Sequence, residues 1–199
     1  MTVRLHLICH APSAANRAQI FGADEPLDGF GLKKLARVSA PANPDDNAWS
    51  SPALQAVETA IGLGFNARAE PLLRDCNYGR WKGRSLDEVF AQNPDDVAQW
   101  LQDPAVAPHG GESIVELIAR TGVWLESLLS ADGSSASRDV IAITHATIIR
   151  AAIVHALGAP AAAFWRLDIA PLSLTRLSGH QRRWNLTSMR DLPRKSIPA

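Results

Sequence analysis

The stretch Val140-Ile141-Ala142-Ile143-Thr144-His145 decides the fold class of this chain. Its four consecutive apolar residues are typical of a strand that is buried on both faces, as in a parallel sheet. A second strand, predicted at 3–8, leads through Leu7-Ile8-Cys9 to His10 and therefore also ends in histidine. Because ligands bind beyond the carboxyl ends of parallel strands, we expect both histidines in one site at one edge of the sheet.

Helical patterns alternate with the strands along the chain. Ser85 and Ser113 each precede a glutamate by three residues, which is the capping-box signature of a helix start. Helical spacing of apolar residues indicates three more helices, at 32–38, 53–63 and 147–157. Shorter apolar runs indicate strands at 48–50, 172–177 and 183–186, the last two joined by a turn at 178–180. The alternation predicts an α/β protein, a three-layer sandwich around a largely parallel central sheet.

The composition fits one compact domain, which we place at 1–192. The chain has 199 residues, of which 46% are hydrophobic, and 20 acidic side chains balance 20 basic ones. Zero net charge argues against a general nucleic-acid binder and against a polybasic membrane binder. No apolar run approaches the length of a membrane span. Two cysteines do not make a disulfide framework, so we expect a cytoplasmic protein.

Three segments are expected to lack regular structure. They are a Pro/Asn/Asp loop at 41–47, a Gly/Ser-rich connector at 131–137 and a frayed tail at 193–199. The oligomeric state is left open by the sequence. A homodimer would use a strand edge in the apolar segment 161–177.

Five motifs follow one another between residue 7 and residue 150. They lie at 7–11 (LICHA), 50–60 (SSPALQAVETA), 73–83 (LRDCNYGRWKG), 110–113 (GGES) and 144–150 (THATIIR). In this order they resemble the signatures of the histidine phosphatase superfamily, which has the phosphoglycerate-mutase-like fold. The resemblance implies a phosphatase that needs no cofactor and acts on a small phosphorylated metabolite. Phosphatase is favoured over mutase, because the chain lacks the long insertion between Asp75 and Gly110 that marks the mutases.

The same resemblance gives roles to individual residues. His10 would attack the phosphoryl group, Asp75 would protonate the leaving oxygen, and His145 would bind the phosphoryl oxygens. Two imidazoles in one pocket can divide the labour in this way on chemical grounds alone. A carboxyl group whose pKa is raised by burial can likewise protonate a leaving alkoxide. The residues expected to bind the substrate are Cys9, Asn16, Gln55, Arg74 and Ala146, and Trp81 is expected near the entrance.

Three positions depart from the family pattern. The family has arginine where this chain has Cys9 and Gln55, and both arginines normally bind the phosphoryl group. Asp75 stands where glutamate is usual, and its side chain is shorter by about 1.5 Å. Losing two charge-assisted hydrogen bonds would cost roughly 3–6 kcal/mol of transition-state binding, or about 10²–10⁴ in rate. The arginines that could compensate are Arg17, Arg74 and Arg80.

These departures leave two other functions open. A catalytically degenerate member of the family would bind an anionic ligand without chemical turnover. A metal or redox site would use Cys9, His10, Cys76 and His145, whose side chains suit zinc. Cys9 itself has three interpretations: a small buried hydrophobic residue, a thiolate whose pKa is lowered by the histidines, or a redox partner of Cys76.

Overall fold

A single mixed sheet of six strands forms the centre of the molecule. The computed structural model describes residues 2–41, 47–130 and 137–195, and its strand order is β3-β2-β4-β1-β5-β6. Neighbouring strands pair in parallel except at β1–β5 and β5–β6, which are antiparallel. The prediction of an α/β fold with a largely parallel sheet is therefore confirmed. The strands are β1 (Val3–Cys9), β2 (Asn47–Ser50), β3 (Arg68–Ala69), β4 (Arg138–Thr144), β5 (Ser173–His180) and β6 (Arg183–Asp191).

Helices cover both faces of this sheet. They are α1 (Ala14–Arg17), α2 (Gly29–Leu35), α3 (Leu54–Gly62), α4 (Leu86–Gln92), α5 (Pro94–Gln102), α6 (Ile114–Ser130) and α7 (Ala146–Leu157). Short 3₁₀ turns lie at Pro71–Leu73, Gly79–Trp81 and Ala161–Arg166. Alternate residues of the strands pack into two cores, so that Leu7 contacts the α4–α7 side and Ile8 contacts the α2–α3 side. The layers are those of the predicted three-layer sandwich.

The capping boxes read from the sequence are present. The Ser85 hydroxyl accepts a hydrogen bond from the Glu88 N–H, and the Ser113 hydroxyl accepts one from the Glu116 N–H. The sequence analysis missed α1, because four residues are too few to show a helical period. It also missed α5, because Pro94 ends α4 and at the same time begins the next helix.

The predicted hairpin turn at 178–180 was wrong. The turn lies at Gln181 and Arg182, whose φ angles of +47° and +61° make the two-residue loop that a tight hairpin requires. Gly179 suggested a turn but lies inside β5. A Cβ atom there would come within 2.6 Å of Leu129 and 2.8 Å of Trp184, so only glycine fits this close packing.

The predicted dimer edge was also wrong. Strand β5, which holds the apolar end of segment 161–177, lies between β1 and β6 and so has no open edge. The outer strands of the described sheet are β3 and β6.

The end of the described chain is held in place. Arg194 pairs with Val38, and the Lys195 N–H donates to the Arg37 carbonyl at 2.8 Å. The predicted tail of 193–199 thus begins with three residues that are attached to the domain, and 196–199 lie outside the described residues. Most of the loop at 41–47 and of the connector at 131–137 lies outside them as well. Within the described ranges, no helix has the length and apolar character to cross a membrane.

Candidate active site

The ends of β1 and β4 bring the two predicted histidines together. Cys9 and Thr144 are partners in the parallel register of these strands, so the residues that follow them, His10 and His145, emerge side by side. Their ring centroids are 5.1 Å apart at an interplanar angle of 71°. Both residues are buried. The arrangement places two imidazoles at the carboxyl edge of the sheet, where the sequence predicted a shared site.

The protonation of His10 suits a nucleophile. Its Nδ1–H donates to the Ala11 carbonyl at 2.8 Å, which leaves the lone pair of Nε2 available. Burial lowers the pKa of His10 to about 4, and the neighbouring His145 adds to this effect. The ring is therefore neutral at pH 7 and can form a bond through Nε2.

His145 is oriented by a serine that sequence reasoning left without a role. Its Nε2 lies 2.8 Å from the Ser51 Oγ, which also accepts the Ala53 N–H at 3.3 Å. We assign the Ser51 hydroxyl as the donor and the His145 Nε2 as the acceptor of this bond. The ring proton is then on the other nitrogen, Nδ1, which faces the Asp75 carboxylate at 3.9 Å. Burial lowers the pKa of His145, and Asp75 opposes this shift.

Asp75 lies across from the histidines on the loop that follows Pro71–Leu73. Its Oδ1 accepts hydrogen bonds from the Thr147 hydroxyl and, at 2.8 Å, from the Cys76 N–H. Its other oxygen, Oδ2, faces His145. Thr147 was not predicted, although its position two residues after His145, in the first turn of α7, was a usable signal. The carboxyl group is thus fixed on one side and directed to the reacting groups on the other.

A buried ion pair holds the loop that carries Asp75. The Arg120 Nε donates to Glu112 at 2.7 Å, and its Nη1 and Nη2 donate to the carbonyls of Leu72 and Asp75 at 2.6 and 3.4 Å. Glu112 belongs to the GGES motif. The neighbouring Gly111 packs so closely on the loop that a Cβ atom at Gly111 would lie 1.9 Å from the carbonyl oxygen of Asn77. The GGES motif therefore helps to hold the loop that carries Asp75.

The N-terminus of α7 offers further donors for an anion. The helix begins at Ala146, and the side chain of its N-cap residue, His145, bonds to Ser51 instead of capping the first turn. Backbone N–H groups at a helix start bind phosphate readily, helped by the helix dipole. Ala146 and Thr147 both line the cavity that contains His10.

Two cavities meet at Asp75 and His145. The larger has a volume of about 680 Å³, and it is lined by His10, Cys9, Asn16 and Arg150 as well as by a group of apolar side chains. The smaller has a volume of about 280 Å³ and includes Arg74, Lys82 and Asp24. His10 lines the larger cavity and not the smaller one.

The comparison with known families agrees with this geometry. The model of the histidine phosphatase superfamily (branch 1) matches residues 5–192. The chain belongs to this superfamily. The match covers nearly the whole described fold, including both strand-end histidines and the loop with Asp75.

Two of the curated proteins that are similar to this chain are phosphatases by name. Glucosyl-3-phosphoglycerate phosphatase of Mycobacterium tuberculosis is 30% identical over 141 residues, which span 66% of this chain and only 63% of that protein. Phosphoserine phosphatase 1 of Hydrogenobacter thermophilus is 25% identical over 190 residues, 91% of this chain and 89% of that one. A solved structure of a mycobacterial glucosyl-3-phosphoglycerate phosphatase with VO3 is 28% identical, with a TM-score of 0.79 over 97% of this chain and 99% of that chain.

Gln55 is not among the residues that line the two cavities. Its Nε2 donates to the Ala23 carbonyl at 2.8 Å, and its Oε1 accepts the Glu25 N–H at 3.4 Å. The adjacent Asp24 carboxylate accepts the Leu54 N–H at 2.8 Å, at the start of α3. A loop with an acidic residue thus lies against the end of α3 that carries Gln55. Of the other residues expected to bind substrate, Asn16, Cys9 and Ala146 line the larger cavity and Arg74 the smaller.

The three arginines that could compensate for the absent ones lie in different places. Arg17 pairs with Asp28, and Arg80 pairs with Asp96 at 2.6 Å, both on the surface. Arg74 lines the smaller cavity. The larger cavity is instead lined by Arg150, which the sequence analysis placed in a motif but gave no role. The Arg150 Nε donates to the Leu167 carbonyl at 2.7 Å. Two of the three expected substitutes are therefore turned away from the site.

The interpretation of Cys9 as a reactive thiolate was wrong. Burial raises the pKa of its thiol to about 12, and the Asp75 carboxylate adds to the effect. Burial also raises the pKa of Cys76, and both cysteines are free thiols. Throughout the described ranges, His, Cys, Asp and Glu form no cluster of three or more that could hold a metal ion, so the Cys9–His10–Cys76–His145 arrangement is not assembled there. Cys9 fits the interpretation of a small buried hydrophobic residue.

Proposed function

We propose that this chain is a phosphomonoesterase that passes the phosphoryl group of a small phosphorylated metabolite to His10 and then to water. One observation carries the proposal: the Nδ1–H of His10 is bound to the Ala11 carbonyl, so a neutral Nε2 faces the cavity beside His145. The phosphatase names of the relatives support it. A substrate enters through the larger cavity, with its phosphoryl group at the edge of the sheet.

In the first half-reaction, the lone pair of the His10 Nε2 attacks phosphorus in line with the ester bond. A P–N bond forms while the P–O bond breaks, and the electron pair leaves on the ester oxygen. The carboxyl group of Asp75, protonated in the form that reacts, gives its proton to that oxygen, so that an alcohol leaves. The Ala11 carbonyl accepts from Nδ1–H throughout and stabilises the positive charge that the ring acquires.

In the second half-reaction, water attacks the phosphohistidine. The Asp75 carboxylate takes a proton from this water, the P–N bond breaks, and its electron pair returns to Nε2. Inorganic phosphate leaves, His10 is again neutral, and Asp75 is again protonated. The same carboxyl group thus acts first as an acid and then as a base.

The donors that hold the phosphoryl oxygens in this proposal are mostly neutral. They are the N–H groups at the start of α7, the Nδ1–H of His145 and the side chain of Asn16. Neutral donors bind a phosphoryl group more weakly than guanidinium does. We therefore propose an enzyme with a lower rate than relatives that keep both arginines.

We also propose a cytoplasmic location and a homodimer. The balanced charge and the two free thiols support the location. In the homodimer, the second copy would pair with β6, one of the two outer strands of the described sheet.

Two measurements on the purified chain test the proposal. We expect release of inorganic phosphate from a panel of phosphomonoesters, and an acid-labile phosphorylated protein after rapid quenching. His10→Ala abolishes both, whereas His180→Ala, an exposed histidine on β5, leaves both unchanged. Binding of phosphate by the wild type without turnover that depends on His10 would reject the enzyme in favour of a catalytically degenerate binding protein.

A further inference from the structure

The outer part of the larger cavity is walled by large apolar side chains. We call it the aromatic chamber and define it by Phe21, Leu86, Trp100, Leu101, Trp165 and Ile169. The same cavity is also lined by the buried residues His10 and His145. A group attached to a phosphoryl oxygen at His10 would therefore extend into this chamber.

The aromatic chamber offers a hydrocarbon surface to a bound ligand. The indole nitrogens of Trp100 and Trp165 are both buried, so the ring surface that faces the cavity is hydrocarbon. The two indoles pack edge to face with centroids 4.5 Å apart, and Phe21 packs against Trp100 at 5.7 Å. Trp81, which was expected at the entrance, is fully buried and lies behind this wall, 5.5 Å from Trp100. The three rings of the chamber are therefore packed against one another and against Trp81 behind them.

The volume of the cavity exceeds the needs of a compact metabolite. Cavities of about 300–1,000 Å³ hold ligands with one or more rings, and this one has about 680 Å³. A serine or glycerate leaving group would leave most of the carbon wall in contact with water. An aromatic ring would cover it.

The charges along the cavity do not favour a second anionic group on the leaving alcohol. Among the described residues that line it, Asp75 and Arg150 carry charge. Part of the Arg150 guanidinium is engaged, because its Nε donates to the Leu167 carbonyl and its plane lies over Phe164 at 5.6 Å. Its Nη2 also lies 4.0 Å from the Asp168 carboxylate, which offsets its charge. The positive side chains Arg74 and Lys82 line the smaller cavity instead.

We propose that the aromatic chamber binds the leaving alcohol and selects phosphomonoesters of alcohols that carry an aromatic ring. This inference rests on the phosphatase function proposed above and specifies its substrate class. Burying one ring against aromatic side chains gives roughly a 10- to 100-fold preference in kcat/KM over an ester without the ring.

The test compares esters whose leaving groups have similar reactivity. 2-Phenylethyl phosphate and propyl phosphate both release a primary alkoxide, so a difference in kcat/KM reports the ring and not the acidity of the alcohol. We expect 2-phenylethyl phosphate to react 10- to 100-fold faster than propyl phosphate and phosphoserine. Equal rates, or a preference for phosphoserine, would overturn the inference.

Variants locate the preference in the chamber. Trp165→Ala and Leu101→Ala each reduce the ratio of kcat/KM for 2-phenylethyl phosphate to kcat/KM for propyl phosphate at least threefold. Trp165→Phe retains most of this ratio. Leu157→Ala is the control, because Leu157 is 55% exposed, much like Leu101 at 49%, and lies at the far end of α7. A ratio that stays at the wild-type value in both chamber variants would contradict the assignment.

A binding measurement separates this inference from the proposed function. Titration calorimetry with 2-phenylethylphosphonate and propylphosphonate, neither of which can be hydrolysed, reports the chamber without any turnover. If the wild type binds the phenyl compound more tightly but releases no phosphate, the ring-binding role of the chamber is supported and the proposed phosphatase function is rejected. Phosphate release that depends on His10, with no preference for the ring in either assay, rejects the chamber alone.

Discussion

The side-chain amide of Gln55 donates to the Ala23 carbonyl at 2.8 Å, so this residue of α3 holds the loop that precedes α2. The same loop brings Asp24 to the start of α3 and Glu25 to the Ala15 N–H at 2.6 Å. Gln55 and this loop therefore hold each other in place. The loop also adds the Asp24 carboxylate to the lining of the smaller cavity.

Gln55→Arg is expected to raise kcat/KM for phosphomonoesters roughly 10- to 100-fold. A guanidinium restores a charge-assisted hydrogen bond, which is worth about 1.5–3 kcal/mol in the transition state. It also breaks the tether to Ala23, so thermal stability falls at the same time. Steady-state kinetics and a melting curve measure both effects.

Gln55→Met is the matched control for this experiment. It removes the tether without adding charge, so it lowers stability as Gln55→Arg does but brings no gain in kcat/KM. Equal rates for the two variants would show that the position does not influence the phosphoryl group.

Much of the site was predictable because its residues lie at the ends of strands. Continuous apolar runs identify β1 and β4, and parallel pairing then fixes His10 beside His145. The Ser–Glu spacing of the capping boxes identified the starts of α4 and α6 for a similar reason, since it depends on residues only three apart.

The remaining features depend on contacts that are distant in the sequence. The bond from Gln55 to Ala23 spans 32 residues, and the bond from Thr147 to Asp75 spans 72. Trp81 was expected near the entrance from its motif, but the indole of Trp100 on the unpredicted helix α5 lies between it and the cavity. A pattern along one chain segment does not show which other segment fills the adjoining space.

The stability of the protein is expected to fall as the pH decreases from about 6.5 to about 4, partly because of His10. Its pKa is lowered from 6.5 to about 4 in the folded state, so between these values the unfolded chain binds a proton that the folded chain does not. The resulting loss of stability is therefore absent above pH 6.5, grows as the pH falls from about 6.5 to about 4, and is complete below about 4. The full effect amounts to roughly 3 kcal/mol.

Urea unfolding of the wild type and His10→Asn at pH 7.5 and 4.5 measures this contribution. We expect the wild type to lose about 2 kcal/mol more than the variant between the two pH values. Identical losses would assign the pH dependence to other groups.

Asp75→Asn is expected to lower kcat about 10²–10⁴-fold with alkyl phosphates, because the amide cannot give a proton to the leaving oxygen. With p-nitrophenyl phosphate the loss should be much smaller in the first half-reaction, since p-nitrophenolate leaves readily without a proton. The burst of p-nitrophenol on rapid mixing reports this step separately from hydrolysis of the phosphohistidine. Similar losses of the first step with both esters would assign Asp75 a role other than acid.

The ion pair between Arg120 and Glu112 is expected to hold both the fold and the acid loop. Both side chains are about nine-tenths buried, and removing one partner of such a pair typically costs 3–5 kcal/mol because the other charge is left unpaired. Arg120→Met is therefore expected to lower the free energy of unfolding by about this amount, and to reduce kcat because the carbonyls of Leu72 and Asp75 lose their donor. The double variant with Glu112→Gln should recover part of the stability, because no buried charge remains, but little of kcat. Urea unfolding and steady-state kinetics on the single and double variants check the two parts separately, and a double variant that regained full activity would show that Arg120 does not position Asp75.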